Sequence, residues 1–379
     1  MDTGTTVAFL VVIGARFLVP LFIPRFPLPA ILTALVLDGI DQTIFQTLGY
    51  DPPGYQGYDK AMDVYYLSIA YLSTLRNWTD LDALRVGGAL FFYRLIGVVA
   101  FESTQWRPLL LIFPNTFEYF FIAYEIVRCR WAPTRGSRRF WIVTAAAIWI
   151  FIKLPQEYWI HIAQLDFTDS VRERPWLWAV LAVVGLAAAL VAVHLLRPRL
   201  PAPDWSLRLA ADPLPAQIDT AAKRDAWVAT HARLLSTATL EKVVLVGLVC
   251  VIYGMVLPDV RSSSTQLFLG VAVFVVINAA LSLAVSRRSW GVDSAVLAFG
   301  VRVVTNVLLV LLAGWLLGRG QGSLSVGDTL FFVGLLSLIT LLDDRYRPVA
   351  GARFAVAGAA GGRRPGSESP VDLEGTADR

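Results

Sequence analysis

The apolar stretches that recur along this chain are each about twenty residues long, and residues 176–196 and 267–285 are two clear examples. An α-helix rises about 1.5 Å per residue, so such a stretch matches the hydrocarbon layer of a bilayer, which is about 30 Å thick. Charged residues make up only 16% of the sequence, against roughly 25% in soluble domains. The sequence therefore predicts an all-α fold, a polytopic bundle of membrane-spanning helices.

The spacing of these stretches predicts about 11 transmembrane helices. The predicted spans are residues 7–23, 27–48, 61–75, 85–101, 108–127, 140–165, 175–196, 243–257, 266–285, 293–317 and 329–342. The third span is short and the most polar, and the sequence leaves open whether it crosses the bilayer completely. Pro155 lies within the sixth span and predicts a kink that frees the carbonyl of Trp149 or of a neighbour.

Basic residues concentrate in every second loop of this arrangement. They are dense in 128–139, 197–233, 287–288 and 345–353, whereas 49–59 and 258–265 have few charges or mixed ones. Because cytoplasmic loops are the ones enriched in Lys and Arg, the N-terminus is predicted outside and the C-terminus in the cytoplasm. We assign the chain to the cytoplasmic membrane of a cell, and the excess of arginine and alanine over lysine favours a bacterial source.

The sequence divides into three regions by their character. Residues 1–166 form a polar-lined transmembrane half with most of the intramembrane charges, and residues 167–345 form a more apolar half. The second half includes a cytoplasmic loop, 197–242, with an amphipathic helix predicted at the inner membrane surface. The apolar arc of that helix consists of Trp227, Val228, Leu234 and Leu235. Residues 346–379 are rich in Ala, Gly, Arg, Ser and Pro, which predicts a disordered cytoplasmic tail.

Ionisable side chains inside the predicted spans mark the candidate site, because each costs about 2.5–3.5 kcal/mol at the bilayer centre unless it is compensated. Asp38 and Asp41 share one face of the second span, and Lys153, Glu157 and His161 follow one stripe of the sixth. The candidate residues for binding a substrate or an ion are Asp38, Asp41, Gln42, Arg94, Asn115, Glu118, Lys153, Glu157 and His161.

The charges of this set nearly cancel. The cations are Arg16, Arg94 and Lys153, and Arg16 is assigned to charge balance. They face four carboxylates, so one carboxylate is in excess; the four are Asp38, Asp41, Glu118 and Glu157. A desolvated carboxylate without a cation beside it binds a proton readily, which suits proton transfer. If a metal ion binds in these spans, Asp38 and Asp41, one helical turn apart, are the predicted ligands.

Three functions fit the sequence. The first is a secondary transporter coupled to protons or another cation, with a midplane polar site between the second, fifth and sixth spans. The second is a membrane-embedded enzyme that acts on a lipid or a lipid-linked phosphate. In that enzyme Asp38 and Asp41 would hold Mg²⁺, and Arg94 and Lys153 would bind phosphate. The third is a non-catalytic membrane scaffold.

Several chemistries lack their motifs in this sequence. It contains no G-x-x-x-x-G-K-[ST] loop and no H-E-x-x-H motif, and its two cysteines cannot form a disulfide scaffold or a zinc ribbon. We therefore lean against an enzyme and expect no cofactor. The expected partners are the lipid bilayer and a small ion or small molecule, with no nucleic acid, and the sequence leaves a homo-oligomer open.

Overall fold

The computed structural model describes residues 3–47, 55–163, 174–191, 194, 197–256, 264–288, 294–316 and 326–361. Within these ranges the chain is all-helical and has no β-strand, which confirms the predicted all-α class. The helices, numbered in chain order, are α1 (Thr3–Leu18), α2 (Pro27–Thr47), α3 (Tyr55–Asn77), α4 (Leu81–Thr104), α5 (Pro108–Ile112), α6 (Thr116–Arg128), α7 (Arg138–Ile162), α8 (Trp176–Val191), α9 (Ala221–His231), α10 (Thr237–Val256), α11 (Ser264–Arg287), α12 (Ala295–Leu316) and α13 (Val326–Gly361). Residues 362–379 of the predicted tail lie outside the described residues.

Five helical stretches in the described part of the chain are long and apolar enough to cross a membrane. They are Leu81–Thr104, Pro108–Arg128, Arg138–Ile162, Thr237–Val256 and Ser264–Arg287. The second of them comprises α5 and α6 together. Large apolar side chains on other helices are also exposed, among them Val183 on α8 and Leu308 on α12. Exposed apolar surface of this extent suits contact with lipid, so the fold has the helices of a membrane protein.

Helix α3 runs through the centre of the bundle, where it packs against α1, α2, α4, α10 and α13. Its side chains Leu67, Ile69 and Leu72 are at most 2% exposed. Its buried hydroxyl groups bond to the backbone, as when Ser68 Oγ donates to the Val64 carbonyl at 2.6 Å. This position explains the polar composition of α3, because a central helix does not need an apolar face toward lipid. Its 23 residues span about 34 Å, which is long enough for a full crossing.

Residues 197–236, called the covering segment below, cover one end of the bundle. The Ala211 N–H donates to the Arg25 carbonyl at 2.8 Å, and the Arg208 N–H donates to the Cys129 carbonyl at 3.0 Å. The term loop-covered end is used below for this end, which comprises residues 24–26, 77–80, 128–137 and 197–236.

Helix α9 lies within that segment and packs on α11 and α13. Its Trp227 approaches Gly351 so closely that a Cβ added there would lie 2.5 Å from the indole ring. The predicted amphipathic helix is therefore present, but its apolar face contacts protein. The helix ends at residue 231 because the backbone of Ala232 is extended, so Leu234 and Leu235 do not belong to it, contrary to the prediction.

Helix α13 corrects the predicted disordered tail. It continues through Pro348 to residue 361, whereas we expected the helix to end at residue 342 and disorder to begin at residue 346. Val349 and Ala352 are at most 3% exposed and pack with Ile218 of the covering segment. This tertiary packing stabilises helical backbone that the composition of the segment does not favour by itself.

Candidate functional site

Arg16 of α1 gathers four aspartates from two neighbouring helices. Its guanidinium bonds directly to Asp38 and Asp41 of α2. On α3, Asp59 Oδ1 lies 3.0 Å from Arg16 Nη1, and Asp63 Oδ1 lies 3.7 Å from Nη2. The spacings i, i+3 and i, i+4 place each aspartate pair on one helix face, and both faces are turned to α1. These five residues are called the Arg16 cluster below.

Accessibility differs among the members of the Arg16 cluster. The side chain of Arg16 is 3% exposed and that of Asp41 is 0% exposed. Asp38, Asp59 and Asp63 are 25%, 36% and 23% exposed, so the cluster is open on one side. One carboxylate oxygen from each of these three aspartates lies within 4.8 Å of the others. Oxygens on opposite sides of one bound cation are separated by up to about 5 Å, so this spacing suits an ion.

The predicted metal pair is arranged differently in the structure. Asp38 is a member of the closely spaced group, but the oxygens that accompany it come from Asp59 and Asp63 on α3. The Asp41 carboxylate instead accepts a hydrogen bond from Arg16 Nη1.

Glu118 of α6 is the centre of a second group of polar side chains. Its Oε1 accepts a hydrogen bond from the Tyr66 hydroxyl, and its Oε2 accepts one from Asn115 Nδ2 at 3.1 Å. Lys153 Nζ lies 3.5 Å from the same Oε2 and 4.2 Å from the centre of the Tyr119 ring. Glu118, Asn115 and Lys153 are at most 5% exposed, so their hydrogen bonds form away from solvent.

The fifth predicted span is broken at residues 113–115, between α5 and α6, although we expected one continuous helix over 108–127. Pro114 explains the break, because it has no N–H and disfavours helical backbone at the residue before it. The break presents backbone groups to side chains. Arg94 Nη1 donates to the Phe113 carbonyl at 3.0 Å, and the Asn115 N–H donates to Glu157 Oε1 at 3.1 Å.

Helix α7 brings Glu157 and His161 to the same place. Glu157 Oε2 lies 3.0 Å from His161 Nε2. The helix is wider than an α-helix on both sides of Pro155, with π-helical turns at Trp149–Lys153 and Tyr158–Ile162. The Trp149 carbonyl accepts the Leu154 N–H, so of the carbonyls predicted to be freed by Pro155 it is not the one. Such π-helical turns are frequent at functional sites.

Tyr66 connects the two groups, because it lies one helical turn after Asp63 on α3 and bonds to Glu118. The connected site has six carboxylates among the described residues, on Asp38, Asp41, Asp59, Asp63, Glu118 and Glu157. It has three cations, on Arg16, Arg94 and Lys153. Lys60 lies 3.2 Å from Glu102, and this neighbouring pair adds no net charge. The site thus has three carboxylates in excess.

The structure brings eight of the nine predicted binding residues, together with Arg16, into this one connected site. The ninth, Gln42, belongs to α2, and its side chain lies outside the described part of the structure. Sequence reasoning missed Asp59 and Asp63 as members, and with them the size of the charge excess. Their i, i+4 spacing at the start of a weakly apolar helix was the signal that could have identified them.

A second charged group lies in the half predicted to be apolar. Lys242 Nζ lies 3.0 Å from Asp343 Oδ2, and Arg302 Nη2 lies 2.7 Å from Asp344 Oδ2. Arg347 Nη2 lies 2.6 Å from Asp343 Oδ1 and also pairs with Glu241. The sequence does not predict this group as a whole, because Lys242 and Asp343 each fall one residue outside a predicted span, although Arg302 lies within one and is a candidate to complete the polar site.

Comparison with protein-family models, with curated proteins and with solved structures finds no match for this chain.

Proposed function

We propose that the protein is a secondary transporter of the cytoplasmic membrane, coupled to protons or to another cation. The observation that supports this function is the excess of three carboxylates in the connected site. Six carboxylates held this close together beside three cations cannot all stay ionised, so such a site takes up protons or a cation. Intramembrane carboxylates with this property mark the ion pathways of pumps and transporters.

The proposed topology has about 11 crossings, with α5 and α6 together forming one of them and α9 forming none. The loop-covered end includes the basic stretches 128–139 and 197–233, so we place it in the cytoplasm. With alternating crossings, the N-terminus is then outside and the C-terminus inside. Asp38 follows the start of α2 by 11 residues, or about 16 Å of helix, so in the proposed topology it lies near the middle of the bilayer.

The broken helix supports the same function. Irregular backbone is tolerated at membrane depth where it is enclosed by protein or lines a cavity, and transporter sites are often built on such breaks. Here, at the break over residues 113–115, the Phe113 carbonyl accepts a hydrogen bond from Arg94, and the Asn115 N–H donates one to Glu157. A movement of α5 relative to α6 would therefore change both bonds, which provides a way to couple ion binding to conformation.

An enzyme that uses a divalent metal remains the second candidate, because three aspartate oxygens lie within 4.8 Å of one another. Arg16 opposes it, since its guanidinium contacts all three aspartates and would repel a divalent ion. Elemental analysis of the purified protein separates the two functions. The transporter predicts no stoichiometric divalent metal, and a metal that is lost in Asp63→Asn would support the enzyme.

Ion binding can be tested before any substrate is known. A ligand that binds the folded state stabilises it, by about 2.7 kcal/mol at 100 times its dissociation constant. We expect thermal unfolding in detergent to depend on pH or on Na⁺ or K⁺ at constant ionic strength, and this dependence to shrink in Asp38→Asn and Asp63→Asn. Asp219→Asn, an exposed carboxylate in the covering segment, is the matched control. Equal ion dependence in all four proteins would contradict the proposal.

A further inference from the structure

A cavity of about 1100 Å³ lies at the loop-covered end, separate from the Arg16 cluster. Its lining comes from α3, α4, α9, α10, α11, α12 and α13. Most of the wall is apolar, with side chains such as Phe92, Leu281 and Val301. A cavity of this volume is large enough for an organic ligand, since ligand sites commonly measure about 300–1,000 Å³.

The polar part of the lining is basic. Among the described residues it includes seven arginine and lysine side chains and four carboxylates, so cations exceed carboxylates by three. Three of the four carboxylates already pair with cations of the same cavity, because Asp343, Asp344 and Glu241 contact Lys242, Arg302 and Arg347. The charge of the cavity is thus opposite to that of the Arg16 cluster, and it favours an anionic ligand.

Arg302 of α12 provides a donor for such a ligand. Its Nη2 donates to Asp344 Oδ2 at 2.7 Å and to Ser282 Oγ at 2.8 Å. Its other amino nitrogen, Nη1, is buried and has no hydrogen-bond acceptor among the described residues. Buried donors on charged groups nearly always have an acceptor, and the planar guanidinium fits phosphate oxygens well. Arg302 is therefore a lining residue with a donor left over for an anionic oxygen, which it would reach by turning Nη1 into the cavity.

The cavity is also open toward the apolar surroundings of the bundle. Helices α11 and α12 follow one another in the chain, but α12 packs mainly on α13, whereas α11 packs mainly on α10 and α9. Leu281 of α11 and Val301 of α12 line the cavity and are 42% and 58% exposed. The hydrogen bond from Arg302 to Ser282 bridges the two helices. An apolar mouth beside a basic interior matches a ligand with an apolar chain and an anionic head.

We propose that this cavity binds a lipid whose headgroup contains a phosphate. The phosphate accepts hydrogen bonds from Arg302, and the acyl chains lie in the apolar mouth between α11 and α12. This site is independent of the proposed ion coupling, because it shares no residue with the connected acidic site.

Native mass spectrometry of the full chain in detergent tests the site, with dioleoyl phosphatidic acid as the probe. We expect binding to weaken at least tenfold in Arg302→Gln, which corresponds to about 1.4 kcal/mol. Ala298→Trp changes no charged residue and fills the part of the cavity one helical turn from Arg302, so it should lower binding as well. Arg139→Gln, an exposed arginine at the start of α7, is the matched control and should bind as the wild type does.

Two outcomes would overturn the proposal. Equal binding of phosphatidic acid to wild type, Arg302→Gln and Ala298→Trp would show that the lipid binds elsewhere. Displacement of the lipid by millimolar inorganic phosphate, with the same loss in Arg302→Gln, would overturn the assignment to a lipid in favour of a soluble phosphate compound.

Discussion

The substitution Arg16→Gln removes the cation that four carboxylates of the Arg16 cluster contact. Three of the contacts are direct charge-assisted hydrogen bonds, to Asp38, Asp41 and Asp59, and a buried bond of this kind contributes about 1.5–3 kcal/mol. Asp59 and Asp63 are partly exposed and add less, because solvent screens their attraction to Arg16. Removing one partner of a buried pair typically costs about 3–5 kcal/mol, so we expect a loss of unfolding free energy in this range.

Reversible unfolding in mixed detergent micelles, followed by tryptophan fluorescence, measures this loss. Arg16→Lys keeps the charge but not the planar fork, so its loss should be smaller than that of Arg16→Gln. The double variant Arg16→Gln with Asp41→Asn should recover part of the stability, because Asp41 is the fully buried carboxylate. Arg139→Gln should change the unfolding free energy by less than about 0.5 kcal/mol. A loss below about 1 kcal/mol in Arg16→Gln would refute the electrostatic reasoning.

Three further predictions use other parts of the fold. A Cβ at Gly97 would lie 2.1 Å from Phe113, so Gly97→Ala should lower the unfolding free energy by about 1–3 kcal/mol. Gly88→Ala is the control, because a Cβ there would lie 3.6 Å from its nearest neighbour, and equal losses for the two variants would contradict this reasoning. Truncation after Gly361 should leave the expression level unchanged, because the composition of residues 362–379 does not favour a packed core. Truncation after residue 345 should lower the expression level, because it removes the buried Val349 and Ala352, and equal yields would count against the packing of α13. Burial raises the pKa of the Cys129 thiol, so maleimide should label it slowly until the protein unfolds, and rapid labelling of the folded protein would contradict its burial.

The convergence of the candidate site could be predicted because helical periodicity fixes which side chains share a face. Asp38 with Asp41, and Lys153 with Glu157 and His161, each belong to one stripe, and the structure turns both stripes inward. The partner helix of Asp38 could not be predicted in this way. The predicted third span began at residue 61 and so excluded Asp59, because a search for apolar stretches undervalues a helix that is central and does not contact lipid.

The two prolines that alter helices show a second limit of sequence reasoning. Pro114 interrupts a helix and Pro348 does not, although the local rule for both residues is the same. At Pro114 the lost backbone bonds are replaced by Arg94 and Glu157, so the break is stabilised by side chains. At Pro348 the following residues are buried under the covering segment, which holds them helical. Both outcomes depend on contacts between residues distant in sequence, and local patterns do not contain them.

The most direct test of the central claim is the electrical response of the acidic site to ions. Proteoliposomes on a solid-supported membrane report charge displacement when an ion enters a site, even without a transported substrate. After a rapid step in pH, Na⁺ or K⁺, we expect a transient current for the wild type and for Asp219→Asn. The current should be lost in Asp38→Asn and in Asp63→Asn. No transient with any of these ions, or an unchanged transient in both site variants, would contradict ion coupling at the Arg16 cluster.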